Sequence, residues 1–169
     1  MDKWAEAFTE LGIGKADRVV ISTDDRLYFI ISWIALWKME AIPISIEPTS
    51  GAAEIGRAVE SGRPNWIVSE NPVHLEGMPE GFERCKFDLK ENWIVGKMPM
   101  HREWNSMDNS AFYCYTSGTT GTPKCVMYDL DAAIAIIDSL VEAFKLTNQD
   151  VFMTPLPPSL PSVIFIERS

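Results

Sequence analysis

Tyr115 to Lys124 reads YTSGTTGTPK, with Thr, Ser, Gly and Pro ahead of a terminal Lys. Gly and Pro punctuate it, and Ser and Thr hydrogen-bond locally to backbone, so its plainest reading is a turn. A turn accounts for Gly118, Gly121 and Pro123, but it asks neither for so many hydroxyl side chains together nor for Lys124. Small residues let backbone approach a ligand closely, and successive N–H groups in a turn, with hydroxyls beside them, form a concavity suited to phosphate oxygens. Lys124 adds the positive charge. The Walker A order, in which Gly-Lys is followed by Ser or Thr, is not met: Gly121 is followed by Thr122, Pro123, Lys124 and Cys125, which argues against a P-loop NTPase.

Outward from the loop, strand-like and helix-like segments alternate. FYCY at Phe112 to Tyr115 has the composition of a buried strand, and CVMY at Cys125 to Tyr128 offers another. Asp129 or Asp131 then caps a helix with an apolar stripe of Ala133, Ile137, Leu140, Val141 and Phe144. Towards the amino terminus, VVIST (Val19 to Thr23), IPISI (Ile42 to Ile46) and WIVSE (Trp66 to Glu70) read as strands. Between the first two, Leu27, Ile30, Ile31, Ile34 and Trp37 fall at helical spacing. Between the second and third, Ser50 is placed to cap a helix that Gly62 closes. Residues 71–109 are rich in Pro, Gly and charge, which predicts irregular loops with short strands. KFDL and NWIVG are the apolar runs there, and Trp93 and Trp104 read as satellite core. VFMTPL, after Asp150, predicts a further short strand. The expected fold class is therefore α/β, a partial doubly wound, parallel sheet with helices on both faces and binding loops at the carboxyl ends of its strands. There is no internal repeat, low-complexity tract or clear interdomain linker.

The chain of 169 residues is 46% hydrophobic and 23% charged, which suits one domain with a real core. A net charge of -9 and a pI near 4.7 argue against nucleic-acid or membrane-surface binding, so an anionic ligand needs a local basic site. The most apolar run, YFIISWIALW at Tyr28 to Trp37, falls short of the roughly 18 residues of a membrane span and reads as a buried helix. Cys85, Cys114 and Cys125 are odd in number and form no metal-type cluster, which suggests a reducing, cytoplasmic home. MDKWAEAFTELG sets acids among apolar residues at helical spacing and lacks the order of a signal peptide.

TSGTTGTPK at Thr116 to Lys124 closely resembles the phosphate-binding loop of the adenylate-forming (AMP-binding) superfamily, which holds acyl-CoA and aryl-CoA synthetases, luciferases and peptide-synthetase adenylation domains. LGIGKADRVVIS at Leu11 to Ser22 and MEAIPISIEP at Met39 to Pro48 are similar to upstream family segments in the same order. The resemblance implies the fold of the N-terminal subdomain of an acyl-CoA synthetase. It implies ATP-dependent activation of a small carboxylic acid as an acyl-adenylate, with Mg2+, and transfer to the thiol of CoA or a carrier protein. By position, Thr116, Ser117, Gly118, Thr119, Thr120, Gly121 and Lys124 would line the triphosphate. The form TSGTTG is more like the CoA ligases than the peptide synthetases, which points to a fatty or aromatic acid. Residues 1–169 resemble the front part of the AMP-binding domain, ending before the family's ribose-binding Asp and its carboxyl-terminal domain with the catalytic lysine. Such a portion is expected to be inactive alone and, with an open strand edge and an apolar face, to self-associate. The alternative is a non-catalytic nucleotide-binding or partner-binding domain derived from such an enzyme.

The sequence departs from the family where Cys125 replaces the Gly after the loop lysine, near Tyr128 and Asp129, where a Thr-His or Ser-His pair is usual, and at Pro158 and Ser159, where an aromatic-His pair is usual. His74 and His101 lie in polar, loop-like stretches without ligand-spaced partners, so neither is assigned a metal or catalytic role. Cys114 reads as a buried strand residue and Cys125 as a packing residue, with the alternative that neighbouring Lys124 lowers the Cys125 thiol pKa. Asp24, Asp25, Asp129 and Asp131 read as helix caps rather than magnesium ligands.

Overall fold

A computed structural model describes residues 2–99, 109–116 and 124–151. Among these, a seven-stranded sheet is built from β1 (Arg18–Ser22), β2 (Ile42–Ser45), β3 (Trp66–Ser69), β4 (Glu83–Cys85), β5 (Ile94–Lys97), β6 (Ser110–Thr116) and β7 (Lys124–Asp129), in the order β4-β5-β3-β1-β2-β6-β7. The central strands β3, β1, β2 and β6 are parallel. The expectation of a parallel sheet holds for these four; β5, β4 and β7 join antiparallel at the two edges.

Among the described residues four α-helices cover the sheet: α1 (Asp2–Glu10), α2 (Arg26–Lys38), α3 (Ala52–Gly62) and α4 (Leu130–Phe144). From β1 the chain crosses through α2 to β2 on one side, then returns through α3 past β1 to β3. Because parallel crossovers are right-handed, opposite directions of travel place α2 and α3 on opposite faces. The register shows the consequence. Ile67, Val20, Ile44 and Tyr113 stand in one row across β3, β1, β2 and β6, and all face Ile55, Ala58 and Val59 of α3. The alternate residues Val19, Ile21, Trp66 and Val68 face the layer of α1, α2 and α4.

Trp93 belongs to this main core rather than to a satellite. Its ring centroid lies 5.4 Å from that of Trp4, and Phe87 stacks on it at 6.2 Å. NWIVG supplies β5, whereas β4 precedes KFDL, whose Phe87 is core. The helix α2 buries Phe29, Ser32, Trp33, Ala35 and Leu36, and leaves Leu27 and Ile34 exposed. This differs from the expected stripe because α2 is apolar all round, so periodicity does not mark its inner face.

Caps follow local chemistry. The Asp25 carboxylate accepts from the N–H groups of Leu27 (3.0 Å) and Tyr28 (3.3 Å), and Asp129, not Asp131, caps α4 through the Ala132 N–H at 2.7 Å. Ser50 does not cap α3; Gly51 occupies that position without a side-chain bond. Gly62 is the last residue of α3, and Arg63 takes the left-handed cap conformation at φ 44°. Trp104, His101 and the VFMTPL segment from Phe152 onward lie outside the described residues.

A 3-10 helix at Pro72–Gly77 lies against α3. A Cβ at Gly77 would stand 2.3 Å from the Ala52 carbonyl oxygen and 2.4 Å from Ile55 Cγ2, so the two elements could not keep this approach. Gly77→Ala should therefore lower unfolding stability by about 1–3 kcal/mol in urea titration. Gly14→Ala, where a Cβ meets nothing within 4 Å, should change it by less than about 0.5 kcal/mol. Equal effects would contradict this packing.

Candidate nucleotide-binding site

The candidate loop connects two strands that pair antiparallel. Strand β6 ends at Thr116 and β7 begins at Lys124, and these two residues pair in register, with residues 117–123 between them. Thr116 and Lys124 therefore bracket the seven-residue connection at the carboxyl end of a central parallel strand. Of the predicted site residues, Ser117, Gly118, Thr119, Thr120 and Gly121 lie outside the described residues. Lys124 is exposed.

The hairpin base is anchored to α3. Tyr115 and Cys125 are register partners on the α3 side of the sheet. The Tyr115 hydroxyl donates to the Ala58 carbonyl at 2.5 Å. A Cβ at position 62 would lie 2.1 Å from that hydroxyl oxygen, so Gly62 leaves the space that the tyrosine fills. Burial raises the Tyr115 pKa far above the usual phenol value, keeping it a neutral donor.

The thiols are similarly suppressed. Burial pushes Cys114 up to about 11. Cys125 is also raised by burial, with opposing, smaller contributions from its hydrogen bond to Tyr115 and the charge of Arg18. This corrects the alternative of a lowered Cys125 pKa. Adjacent residues of a strand point to opposite faces, so Lys124 projects away from the side on which Cys125 meets Tyr115.

Three loops at the same carboxyl edge are tied together by polar contacts. After β1, the Thr23 hydroxyl donates to Glu70 Oε2 at 2.8 Å, and the Asp24 N–H donates to Glu70 Oε1, joining the loops that follow β1 and β3. After β2, the Pro48 carbonyl accepts from Asn71 Nδ2 at 2.8 Å. His74 completes the brace. It is fully buried, its Nε2 lies 3.1 Å from the Ser50 carbonyl and its Nδ1 lies 2.7 Å from Ser69 Oγ. A carbonyl only accepts, so Nε2 carries the proton and Nδ1 accepts from the Ser69 hydroxyl. The polar run around His74 hid this role; its only sequence signal is the Asn71-Pro72 start of a tight turn, whose Asn71 side chain accepts from the Val73 N–H at 3.0 Å.

Residues 1–161 match the family described as AMP-binding enzyme. The chain belongs to that family. It is 23% identical over 97% of its length to a long-chain-fatty-acid–CoA ligase, FadD13, of Mycobacterium tuberculosis, covering 35% of that protein. It is 26% identical over 81% of its length to chondramide synthase cmdD of Chondromyces crocatus, covering 4% of it. The fold matches O-succinylbenzoate coenzyme A synthetase (MenE) of Bacillus subtilis, solved in complex with ATP and magnesium ion, with a TM-score of 0.76 and 18% identity over 98% of this chain. It matches a long-chain-fatty-acid-CoA ligase (FadD1) of Archaeoglobus fulgidus with a TM-score of 0.73 and 20% identity over 97% of this chain. The chain spans 44% and 35% of these two solved chains, so it corresponds to part of their length. The family is one of adenylate-forming enzymes, and the sheet with its flanking helices is the N-terminal subdomain of the acyl-CoA synthetase fold. Among the described residues no helix is long and apolar enough to cross a membrane.

Two measurements follow from the site's protonation chemistry. Burial lowers the His74 pKa, outweighing the opposing Ser50 hydrogen bond. The unfolded chain therefore binds this proton more readily, so the contribution of neutral His74 is complete above about pH 6.5 and is lost as pH falls towards the folded value. The urea midpoint of the wild type should drop more between about pH 8 and about pH 5 than that of His74→Gln; parallel curves would contradict the buried neutral imidazole. Alkylation of Cys125 by iodoacetamide at mildly alkaline pH should be slower than that of an unstructured cysteine peptide. Labelling as fast as the peptide's would show an activated thiol instead.

Proposed function

We propose that this chain forms the nucleotide-holding part of an ATP-dependent acid:thiol ligase that activates a fatty or aromatic carboxylic acid and transfers it to CoA. The supporting observation is the placement of Thr116 and Lys124 at either side of a Ser, Thr and Gly connection, at the carboxyl end of a central parallel strand. Ligands of open α/β sheets bind at that edge. The donor set suits a triphosphate: hydroxyls and backbone N–H groups for the oxygens, and an exposed ammonium for the charge. The curated relatives include malonate–CoA ligase and long-chain-fatty-acid–CoA ligase alongside nonribosomal peptide synthases, so the choice of CoA over a carrier-protein thiol rests on the TSGTTG form of the loop.

In this reading a substrate carboxylate oxygen attacks the α-phosphorus of ATP, and the bond to pyrophosphate breaks with its electron pair leaving on pyrophosphate. Thr116, Ser117, Gly118, Thr119, Thr120 and Gly121 orient the triphosphate, and Lys124 meets the charge that grows on the leaving phosphates. Donors already held in place stabilise that charge without reorganising during the step. Mg2+ enters with ATP as its counter-ion. In this proposal residues 1–161, the part that matches the family, hold and orient nucleotide and do not by themselves complete transfer to the thiol. A cytoplasmic location is part of the same proposal.

Calorimetric titration with ATP and Mg2+ tests the reading. The wild-type chain should bind, and Lys124→Ala combined with Ser117→Ala should weaken binding at least about tenfold, the scale of one or two charge-assisted hydrogen bonds. Unchanged affinity in the double variant would place the nucleotide elsewhere.

A further inference from the structure

Beside the brace around His74 stands a polar group that the brace does not use. Ser22, the last residue of β1, is fully buried, and its hydroxyl has no hydrogen-bond partner among the described residues. A buried hydroxyl left in that way costs free energy, so its position calls for a reason. Ser22 is the register partner of Ser69 in the parallel pair of β1 and β3, so the two side chains stand side by side on the α3 face of the sheet. Ser69 in turn bonds His74. While the imidazole is neutral, the Ser69 hydroxyl gives its one proton to Nδ1 at 2.7 Å and accepts from the Asn71 N–H at 3.1 Å, and Nε2 donates to the Ser50 carbonyl at 3.1 Å. Each of these groups is satisfied without Ser22. A proton on Nδ1 reverses the direction of the first bond. The Ser69 oxygen has two lone pairs and can accept from both Nδ1 and the Asn71 N–H, but its own proton must then point elsewhere. The unengaged oxygen of Ser22 lies directly across the register.

We infer that Ser22, Ser69 and His74 form a proton-driven switch, in which uptake of a proton from solvent on His74 Nδ1 turns the Ser69 hydroxyl from the imidazole to Ser22. No covalent bond changes. The tie from His74 to Ser50 is kept in both states, and the acid state adds a contact between the ends of β1 and β3. The loops at this edge therefore keep their arrangement while the group that braces them titrates. Burial sets how far the pH must fall before the switch turns. Charged neighbours do not set it. Glu54, Arg57 and Glu60 of α3, Glu76 on the same 3-10 helix as His74, and Asp24 and Asp25 after β1 are all exposed. The Glu70 carboxylate is engaged by the Thr23 hydroxyl and the Asp24 N–H, and neither it nor the half-buried Glu47 before Pro48 contributes to the His74 shift. The switch does not rest on nucleotide binding.

Histidine ring NMR on this chain, followed from about pH 8 to about pH 4, tests the switch, with His74→Gln assigning the resonances. In Ser22→Ala the His74 pKa should fall by at least about half a unit, because the protonated state loses the acceptor for the Ser69 proton. The urea midpoint of the same variant at about pH 8 should be no lower than that of the wild type, since the hydroxyl removed is one the neutral state leaves unpaired. In a Ser69→Ala background, Ser22→Ala should leave the His74 pKa where it is, an outcome that a packing role of Ser22 would not produce. An unchanged pKa in Ser22→Ala, an equal fall in both backgrounds, or an imidazole that stays neutral until the chain unfolds in acid would overturn the switch.

Discussion

The hydroxyl of Tyr115 donates to the Ala58 carbonyl across the gap that Gly62 leaves open, and the placement of the β6–β7 hairpin base against α3 depends on that contact. Strand β6 is held by β2 on one side and β7 on the other, and the register of β6 with β7 runs to Thr116 and Lys124. The tyrosine ties the last turns of α3 to the hairpin base. Its net hydrogen-bond contribution is only about 1 kcal/mol, but a buried donor left without an acceptor costs about 1–3 kcal/mol, so the arrangement is more selective than strong. The row of Ile67, Val20, Ile44 and Tyr113 beneath α3 supplies the apolar stabilisation that this polar contact orients.

The rest of the carboxyl edge is organised on the same principle. Apolar strands fix where the loops leave the sheet, and a few buried polar contacts fix where they go. Glu70 joins the loop after β3 to the one after β1, and His74 with Asn71 joins it to the one after β2. A buried imidazole with both nitrogens engaged holds its neighbours in one arrangement, because moving either loop would strand a donor or an acceptor. The edge beside the hairpin is thus pre-organised, which is the condition under which fixed donors help a charged transition state most.

Much of this was legible from residue order. The β-branched runs at Val19, Ile42 and Trp66 mark strands because a strand buried on both faces needs no alternation, and TSGTTGTPK marks both the family and the place of its loop. Composition carried less information where both faces of a helix are apolar. The buried face of α2 is set by tertiary packing, and α4 turns Ala133, Ile136, Ile137 and Leu140 to the core while Phe144 of the expected stripe stays exposed. The role of His74 is not legible in residue order, because its partners are Ser69 in the strand before it and the carbonyl of Ser50, distant in sequence, and a backbone carbonyl leaves no trace in composition. The antiparallel edges likewise depend on long-range pairing that local patterns do not encode.

Phosphate binding by the connection between β6 and β7, at the carboxyl edge of the sheet, is the step on which the proposed function stands. Residue-resolved amide NMR during titration with Mg2+ and tripolyphosphate, which lacks base and ribose, tests it most directly. The account predicts shifts concentrated from Thr116 to Lys124 and in the neighbouring ends of β2 and α3. Shifts confined to another basic region, such as Arg84 and Lys86 beside β4, would contradict it.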